Sequence, residues 1–294
     1  MSFGAGFAMA AAIFGSSGGG GEYEKWQRPS DWPQLGEPAD NEIIILLKKY
    51  YSTATRTQIN PIATVNGDTS TYAEGNVFDI DWGDGTVETI TTSSTTPMYH
   101  VYSTQNDYYV VSIKSDSDCY LCFQGRYKTM YDIVDVHIGK NFKLHYMAFS
   151  NGCLHHIKCF GWQPSDFEGL QCDFFVGYDV RVLYQIETTM PWTFVPQRMF
   201  MNCKNLKTFD FSEVTEIKAN AFNNSNICGI FDAPNLTVVG DYGFGSNVNI
   251  ETLNAPILKK IGQYAFYRCY SLKSINTDNS YSIGLHALDG CFNF

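Results

Sequence analysis

Positive charge is scarce in this sequence of 294 residues. It has 20 Lys and Arg against 30 Asp and Glu, and no run of basic residues is longer than two. Nucleic-acid phosphates are bound through clustered Lys and Arg, so this composition argues against a nucleic-acid partner. The formal net charge of −10 favours solubility and disfavours anionic membrane surfaces.

Short catalytic motifs are also lacking. The sequence contains no P-loop, no G-x-S-x-G, no H-E-x-x-H and no dinucleotide fingerprint. His155 and His156 follow Cys153, but a nucleophile needs an oriented base, and adjacent histidines in a turn are expected to be solvated. A pair of glycan-cleaving carboxylates is still possible, because Asp and Glu are scattered along the chain. We expect a protein that is not an enzyme and has no cofactor.

Cysteine usage gives little support for metal binding. The nine cysteines are an odd number, so at least one thiol is unpaired or bonded between chains. Cys119 and Cys122 form a C-x-x-C that has no second C-x-x-C to match it, and Cys153 and Cys159 flank the two histidines. Zinc needs four ligands brought together. We therefore expect no metal site, and buried free thiols instead.

The N-terminus lacks the features of a secretory signal. No Lys or Arg precedes Lys25, and the apolar stretch 7–14 is too short to span a bilayer. Residues 1–21 have two interpretations, a flexible tail or an attachment peptide that inserts into a partner in an assembly. The second interpretation predicts an assembly role for the large apolar residues of this region and of the segment that follows: Phe3, Phe7, Met9, Ile13, Phe14, Trp26 and Trp32.

Residues 22–40 include WQRPSDWPQL, with two tryptophans and two prolines in ten positions. Because proline fixes the backbone dihedral, this pattern predicts an extended segment, which the tryptophans clamp to the following domain. Together with the apolar strand and W-G-D-G turn that follow, the segment resembles the start of certain structural proteins of tailed bacteriophages. That resemblance implies a virion protein assembled in the host cytoplasm.

The sequence pattern of residues 41–118 predicts a β-sandwich. The 19 Tyr and 21 Phe against 17% charged residues favour β structure. In NVFDIDW, Phe78, Ile80 and Trp82 share one face of a strand and Asp79 and Asp81 the other. Several short strands separated by Gly-rich turns are typical of an all-β sandwich.

The stretch DIDWGDGT … YHVYSTQNDYYVVSI is similar to a polycystic-kidney-disease (PKD) type domain. The family has a W-x-F-G-D-G-type turn, an H-x-Y element and a Y-x-V-x-L strand, whereas here Trp82 directly precedes the glycine. The resemblance implies an immunoglobulin-like binding or spacer module. The residues that carry it are Trp82, Gly83, Asp84, Gly85, His100, Tyr102, Tyr109 and Val111.

Asp79, Asp81 and Asp84 have two interpretations. D-x-D-x-x-D offers oxygens to Ca²⁺, but calcium takes six to eight oxygens from a wrapped loop. The first two aspartates lie on a straight strand and do not converge with the third. The favoured interpretation is that Asp84 bonds the amides of the turn.

The C-terminal half repeats with a period of 22 residues. Each unit of such an array buries its apolar edge only by stacking on its neighbours, so the pattern predicts a solenoid. Residues that share one position of the repeat form a column. One column contains three cysteines, with Ser225 and Asn247 at the same position in the other repeats, and we interpret it as a position in the core. The columns include Phe200, Phe222, Phe244 and Phe266; Val195, Ile217, Val239, Ile261 and Ile283; and Cys203, Cys269 and Cys291.

The unit IGQYAFYRCYSLKSI resembles the BspA-type leucine-rich repeat, I-G-x-x-A-F-x-x-C-x-x-L-x-x-I. The resemblance implies a leucine-rich-repeat solenoid over residues 119–294, with regular repeats from about residue 193 and non-catalytic surface or adhesion roles. Residues 145–157 resemble an earlier, degenerate unit. Since the last repeat is incomplete and apolar, we expect another chain or a second protomer to cover it.

The fold expected is therefore mainly β, an Ig/PKD-like sandwich followed by a repeat solenoid. We expect a non-enzymatic structural protein of a tailed-phage virion (tail fibre, baseplate, collar or decoration component) that forms homo-oligomers. Its N-terminus and its last repeat would bind other virion proteins, and its repeat surface would bind a host glycan or surface protein. The alternatives are a secreted or surface bacterial adhesin and a purely architectural virion subunit.

Overall fold

The protein is described from a computed structural model that covers residues 26–49, 58–59, 62–65, 68–72, 74–92, 100–102, 106–116, 120–122, 131–142, 154–161 and 183–294. These residues are all β. Because none of them lies in a long apolar helix, the described part of the chain offers no helical membrane span.

The described strands between residues 42 and 188 fall into three sheets. The largest has seven strands in the order β12-β11-β10-β1-β8-β5-β6, and the smaller ones have the orders β2-β7 and β4-β3-β9. The strands are β1 (Glu42–Lys49), β2 (Gln58–Ile59), β3 (Ile62–Val65), β4 (Asp68–Tyr72), β5 (Val77–Asp81), β6 (Val87–Thr91), β7 (His100–Val101), β8 (Tyr108–Lys114), β9 (Tyr120–Cys122), β10 (Tyr131–Gly139), β11 (His156–Phe160) and β12 (Gln185–Thr188).

Alternation along the strands decides which face of the large sheet is buried. In β5, Phe78 and Ile80 are buried while Asp79 and Asp81 are exposed, as the sequence predicts. β1 places Ile43, Ile45 and Leu47 in the same core. A sandwich in this region stays a prediction.

The large sheet continues past residue 118. β10 pairs antiparallel with β1, and β11 and β12 then add to β10 in parallel. The domain boundary predicted at residue 118 therefore divides a single sheet. The change to parallel pairing marks the passage towards the repeats, because every strand pair in the repeat sheets is parallel.

The repeats build two narrow parallel sheets, β13-β14-β16-β18-β20 and β15-β17-β19. Their strands are β13 (Phe194–Val195), β14 (Glu216–Ile217), β15 (Gly229–Asp232), β16 (Val238–Val239), β17 (Ile250–Asn254), β18 (Lys260–Ile261), β19 (Ser274–Asn276) and β20 (Ser282–Ile283). The predicted β-solenoid is thus confirmed for this region.

Stacked phenylalanines form the solenoid core. Phe222 lies between Phe200 and Phe244, at ring-centroid distances of 5.3 and 5.5 Å, and Phe266 continues the stack at 5.5 Å from Phe244. All four side chains are fully buried. Their backbone amides donate to carbonyls of the following repeat, so apolar stacking and backbone bonding follow the same axis.

Each repeat also contains residues in the left-handed backbone region. One column has φ between 54° and 59° at Arg198, Asn220, Tyr242, Tyr264 and His286. This conformation costs a non-glycine residue about 1–2 kcal/mol. The cost is offset by bonds between repeats, such as Tyr242 N–H donating to Gln263 O at 2.9 Å. The conformation belongs to the repeat itself, since it recurs whatever the side chain.

The sheet and the solenoid share one contiguous hydrophobic core. The buried cluster runs from Ile43 and Ile80 through Ile157 and Leu183 to Ala287. A smaller cluster on the other side of the sheet contains Trp32, Leu46 and Val134. That outer side carries the polar site described below.

Candidate functional site

Three parallel strands present a block of polar side chains on the outer face of the large sheet. Between β10 and β11, the parallel register places Asp135 beside His156 and His137 beside Lys158. Between β11 and β12, it places His156 beside Gln185 and Lys158 beside Glu187. Since alternate residues of a strand share a face, the block has two positions from each strand. The six residues are Asp135, His137, His156, Lys158, Gln185 and Glu187.

A β-bulge places Asp135 in this block. Leu46 pairs with Asp135 and Leu47 with Ile133, so Val134 is an extra residue on β10. Val134 packs against Trp32 and Leu46 on the outer side, and Asp135 bonds on that side too. The extra residue lets Val134 and Asp135, neighbours in sequence, both lie on the outer side, whereas regular alternation would put them on opposite faces.

Residues 26–36, here called the strap, cover part of the block. Trp26 stacks on His156 with a ring-centroid distance of 5.7 Å and on Tyr184 at 6.0 Å. Trp32 is 4% exposed and meets His155 edge-on at 5.6 Å. The predicted clamp by the two tryptophans therefore consists of contacts with the chain's own sheet.

Arg28 connects the strap to the buried carboxylate. Its Nε donates to Asp135 Oδ2 at 2.7 Å, while its other nitrogens donate to the carbonyls of Trp32 at 3.1 Å and Pro33 at 2.6 Å. On the opposite side, His156 Nδ1 lies 2.7 Å from Asp135 Oδ1. Burial disfavours the charge on Asp135, but the hydrogen bonds and charges of His156 and Arg28 outweigh it and hold the pKa of Asp135 below its ordinary value.

A cavity of about 420 Å³ opens beside the strap. Burial lowers the pKa of His137, which favours its neutral form, and His137 Nδ1 lies 2.7 Å from the backbone oxygen of Gly36. Ligand atoms of Asp135, His137 and His156 lie within 4.8 Å of one another. The cavity is lined by Trp26, Gln27, Arg28, Gln34, Leu35, His137, His156, Lys158, Gln185 and Glu187.

The solenoid presents a second candidate surface, here called the aromatic column: Tyr242, Tyr264 and His286. Tyr264 stacks on Tyr242 at 4.7 Å and on His286 at 5.0 Å. Tyr267 meets Tyr264 edge-on at 5.5 Å, and the Arg268 guanidinium lies 4.9 Å from the Tyr267 ring centroid. Unlike the phenylalanine stack, these rings reach the surface.

The three aspartates of the sequence analysis each have a separate local partner. Asp79 accepts a bond from Thr89 Oγ1 at 2.6 Å, Asp81 from Gly83 N at 2.9 Å and Asp84 from Thr86 N at 3.0 Å. These bonds agree with the turn interpretation. Among the described residues, the candidate metal cluster is at Asp135, His137 and His156 instead.

The side chains around the W-G-D-G turn pack as a unit. Trp82 is fully buried and stacks on His100 at 4.9 Å, and His100 Nε2 lies 2.8 Å from Asp84 Oδ2. Tyr102 Oη donates to Trp82 O at 3.0 Å and its ring stacks on Tyr109 at 3.9 Å. The residues of the PKD-like pattern thus brace one turn, while PKD membership itself stays a prediction.

The other predicted site residues are placed as follows. Phe3, Phe7, Met9, Ile13 and Phe14 lie outside the described residues, as do Cys119 and Cys153. Cys203 and Cys269 are buried, and Cys291 is half-buried. Burial raises the pKa of the Cys203 and Cys269 thiols, which disfavours a thiolate role. Ile217 and Ile261 lie in the core with the phenylalanine stack.

The cysteine column does more than fill space. Cys269 Sγ donates to Phe244 O at 3.2 Å and Cys291 Sγ to Phe266 O at 3.1 Å. Asn247, in the same column, donates from Nδ2 to Phe222 O at 2.7 Å. These three side chains therefore share a donor for the phenylalanine carbonyl of the preceding repeat, which explains why Cys and Asn both fit, whereas Ser225 Oγ donates to Asn247 Oδ1 at 2.8 Å.

Sequence reasoning missed the block on β10–β12 and was wrong about His156. That residue was expected in a solvated turn but is 5% exposed in a strand. Alternation of Asp135, Val136, His137 and Ile138 is the signal that predicts two polar side chains on one strand face. Nothing local indicates that Arg28, 107 positions earlier, reaches Asp135.

Comparison with known protein families matches residues 182–294 to the BspA type leucine rich repeat region, in six copies. This confirms the predicted repeats and extends them upstream of residue 193, so that β12 of the large sheet lies within the match. Neither the curated proteins nor the solved structures contain a match to the chain. BspA-type repeats suggest a surface or adhesin-like protein, and repeat families of this type are generally binding or scaffold domains.

Proposed function

We propose that this is a non-enzymatic binding protein whose solenoid binds a host-surface protein or glycan through the aromatic column. The observation that carries the proposal is the alignment of Tyr242, Tyr264 and His286 on consecutive repeats. Because the rings stack on one another, their polar edges form a row with a spacing of about 5 Å, set by the ring distances of 4.7 and 5.0 Å.

Tyrosine suits such a surface because it combines contact area, a hydroxyl group and few rotatable bonds. Stacking between neighbours further restricts these side chains before a ligand arrives, which lowers the entropy cost of binding. Arg268, held against Tyr267, adds a cation beside the column. This mixture of Tyr and Arg is the composition of energetically dominant interface residues.

The test is binding to host cells, or to arrayed glycans and surface proteins, by Tyr242→Asn and Tyr264→Asn variants. Asn is the matched replacement, since Asn220 occupies the same column with φ of 59°. We expect the double variant to lose affinity about tenfold or more, as hot-spot truncations cost roughly 2 kcal/mol or more. Ile230→Thr, at a 67% exposed position on β15, is the control. Equal binding by both variants and wild type would refute the assignment.

We further propose that this surface is displayed on a tailed-phage virion. The support is the resemblance of the Trp/Pro-rich segment, the apolar strand and the W-G-D-G turn to phage structural proteins. Mass spectrometry of purified particles is expected to find the protein. Its recovery only from bacterial envelopes would favour a surface adhesin, and particles that adsorb normally without it would favour an architectural subunit.

The last repeat is the proposed contact for another protomer or virion protein, with residues 1–21 as the other attachment. Its support is a cluster of exposed apolar side chains at Ile283, Leu285, Phe292 and Phe294, with exposures of 52%, 72%, 82% and 50%. Apolar patches of this kind mark interaction surfaces. Light scattering is expected to show oligomers that dissociate in Leu285→Ser/Phe292→Ser, and a monomeric wild type at high concentration would contradict homo-oligomerisation.

A further inference from the structure

The block on β10–β12 orients two histidines as metal-binding histidines are oriented. A carbonyl oxygen only accepts hydrogen bonds, so His137 Nδ1–H donates to Gly36 O at 2.7 Å and leaves Nε2 for another partner. In the same way His156 Nδ1–H donates to Asp135 Oδ1 at 2.7 Å. Metal-binding histidines are held by such bonds from the second ring nitrogen to a carboxylate or a backbone carbonyl.

Glu187 supplies a carboxylate next to one of these nitrogens. Its Oε1 lies 3.6 Å from His156 Nε2, and its Oε2 lies 3.4 Å from Lys158 Nζ. The same Oε1 accepts a hydrogen bond from Gln185 Nε2 at 2.8 Å, which holds the carboxylate beside the His156 ring.

We propose that His137, His156 and Glu187 bind a zinc ion through Nε2, Nε2 and the carboxylate, with Asp135 as the residue that orients His156. Imidazole nitrogens with one carboxylate are a ligand set typical of Zn²⁺, and three protein ligands leave a position for water or a ligand oxygen. His137 and Glu187 line the cavity beside the strap, so the open position has access to solvent.

Part of the ligand set already has the spacing that zinc needs. Ligand atoms of Asp135, His137 and His156 lie within 4.8 Å of one another, and Glu187 Oε1 lies 3.6 Å from His156 Nε2. Zinc–nitrogen distances of about 2.0–2.1 Å put tetrahedral ligands roughly 3.4 Å apart, so His156 and Glu187 are close to the required separation. Glu187 is 41% exposed, and its side chain can move without disturbing the core. Zinc would then tie β12, at the start of the repeats, to β10 and β11.

The test uses the full-length protein after dialysis against EDTA, titrated with Zn²⁺ by calorimetry and with Co²⁺ by absorption spectroscopy. We expect one site per chain and a Co²⁺ ligand-field spectrum of nitrogen and oxygen ligands. Glu187→Gln and His137→Gln are each expected to weaken binding about tenfold to a hundredfold or more. Circular dichroism melts of the metal-free variants establish that they are folded.

Glu251→Gln is the matched control, because Glu251 also pairs with a lysine, Lys273, at 2.7 Å, but on the solenoid. It is expected to bind zinc as wild type does. Absence of one-to-one binding would overturn the proposal. A thiolate-to-cobalt charge-transfer band would also overturn it, by placing the metal on cysteines, and so would undiminished binding by Glu187→Gln and His137→Gln.

Discussion

Replacing Asn247 with alanine tests whether the cysteine column is a hydrogen-bonding column rather than a space-filling one. Asn247 is fully buried. Its Nδ2 donates to Phe222 O at 2.7 Å and Phe244 O at 2.8 Å, and its Oδ1 accepts from Ile227 N at 2.9 Å and Ser225 Oγ at 2.8 Å. One side chain thus connects two neighbouring repeats through four hydrogen bonds.

The expected cost follows from what the substitution leaves unpaired. Both phenylalanine carbonyls stay bonded after the substitution, because Phe222 O still accepts from Ser225 N and Phe244 O from Asn247 N and Cys269 Sγ. The buried Ile227 N–H loses its acceptor, and an unsatisfied buried donor costs about 1–3 kcal/mol. With about 1 kcal/mol for each of the three remaining bonds, Asn247→Ala should lower the free energy of unfolding by about 4–6 kcal/mol.

Asn247→Cys provides the internal comparison. A thiol keeps the donor to Phe222 O, as Cys269 and Cys291 do in their repeats, but not the acceptor for Ile227 N. Its cost should therefore be about 1 kcal/mol smaller than that of alanine, which is the contribution of the one bond it keeps. Urea denaturation followed by circular dichroism measures both values, with attention to whether the repeats unfold together. A cost below about 1 kcal/mol for alanine, or equal costs for both variants, would refute the hydrogen-bonding explanation.

Three further predictions concern the turn and the phenylalanine stack. Gly83→Ala should lower the free energy of unfolding by well over 2 kcal/mol, because φ is +79° and the new Cβ would lie 2.3 Å from a backbone oxygen. Gly85→Ala should lower it by only about 1–2 kcal/mol, because φ is +93° but the space around the new Cβ is open. Equal melting temperatures of the two variants would contradict this. At Asp84, burial disfavours the charge but bonds from His100 and Thr86 hold its pKa below the unfolded value of about 3.9. The charged Asp84 therefore contributes to folding stability above that value, and the contribution is lost as pH falls through the folded pKa. In Asp84→Asn the urea midpoint should fall less steeply below pH ~4 than in wild type, and an unchanged pH profile would contradict this. Phe244→Ala should lower the free energy of unfolding by about 3–5 kcal/mol and Ile230→Ala by less than about 1 kcal/mol, since only the first side chain is buried; similar costs would show that the stack does not carry the core.

The repeat region could be predicted almost completely from sequence. Each unit contacts mainly its neighbours, so a column such as Phe200, Phe222, Phe244 and Phe266 repeats both in sequence and in space. Strand alternation likewise predicted the two faces of β5, because the period of a strand depends only on local geometry. The residue spacing therefore determined the solenoid and the half-buried strand.

The polar block on β10–β12 depended on the tertiary structure. Asp135, His156 and Glu187 come together through parallel register over long connections, and a one-residue bulge puts Asp135 on the outer face. Arg28 reaches that carboxylate from 107 positions away. Register and bulges are decided by how whole sheets bury their apolar faces, so no local pattern predicts them, and only the assembled sheet reveals two histidines and a glutamate beside one cavity.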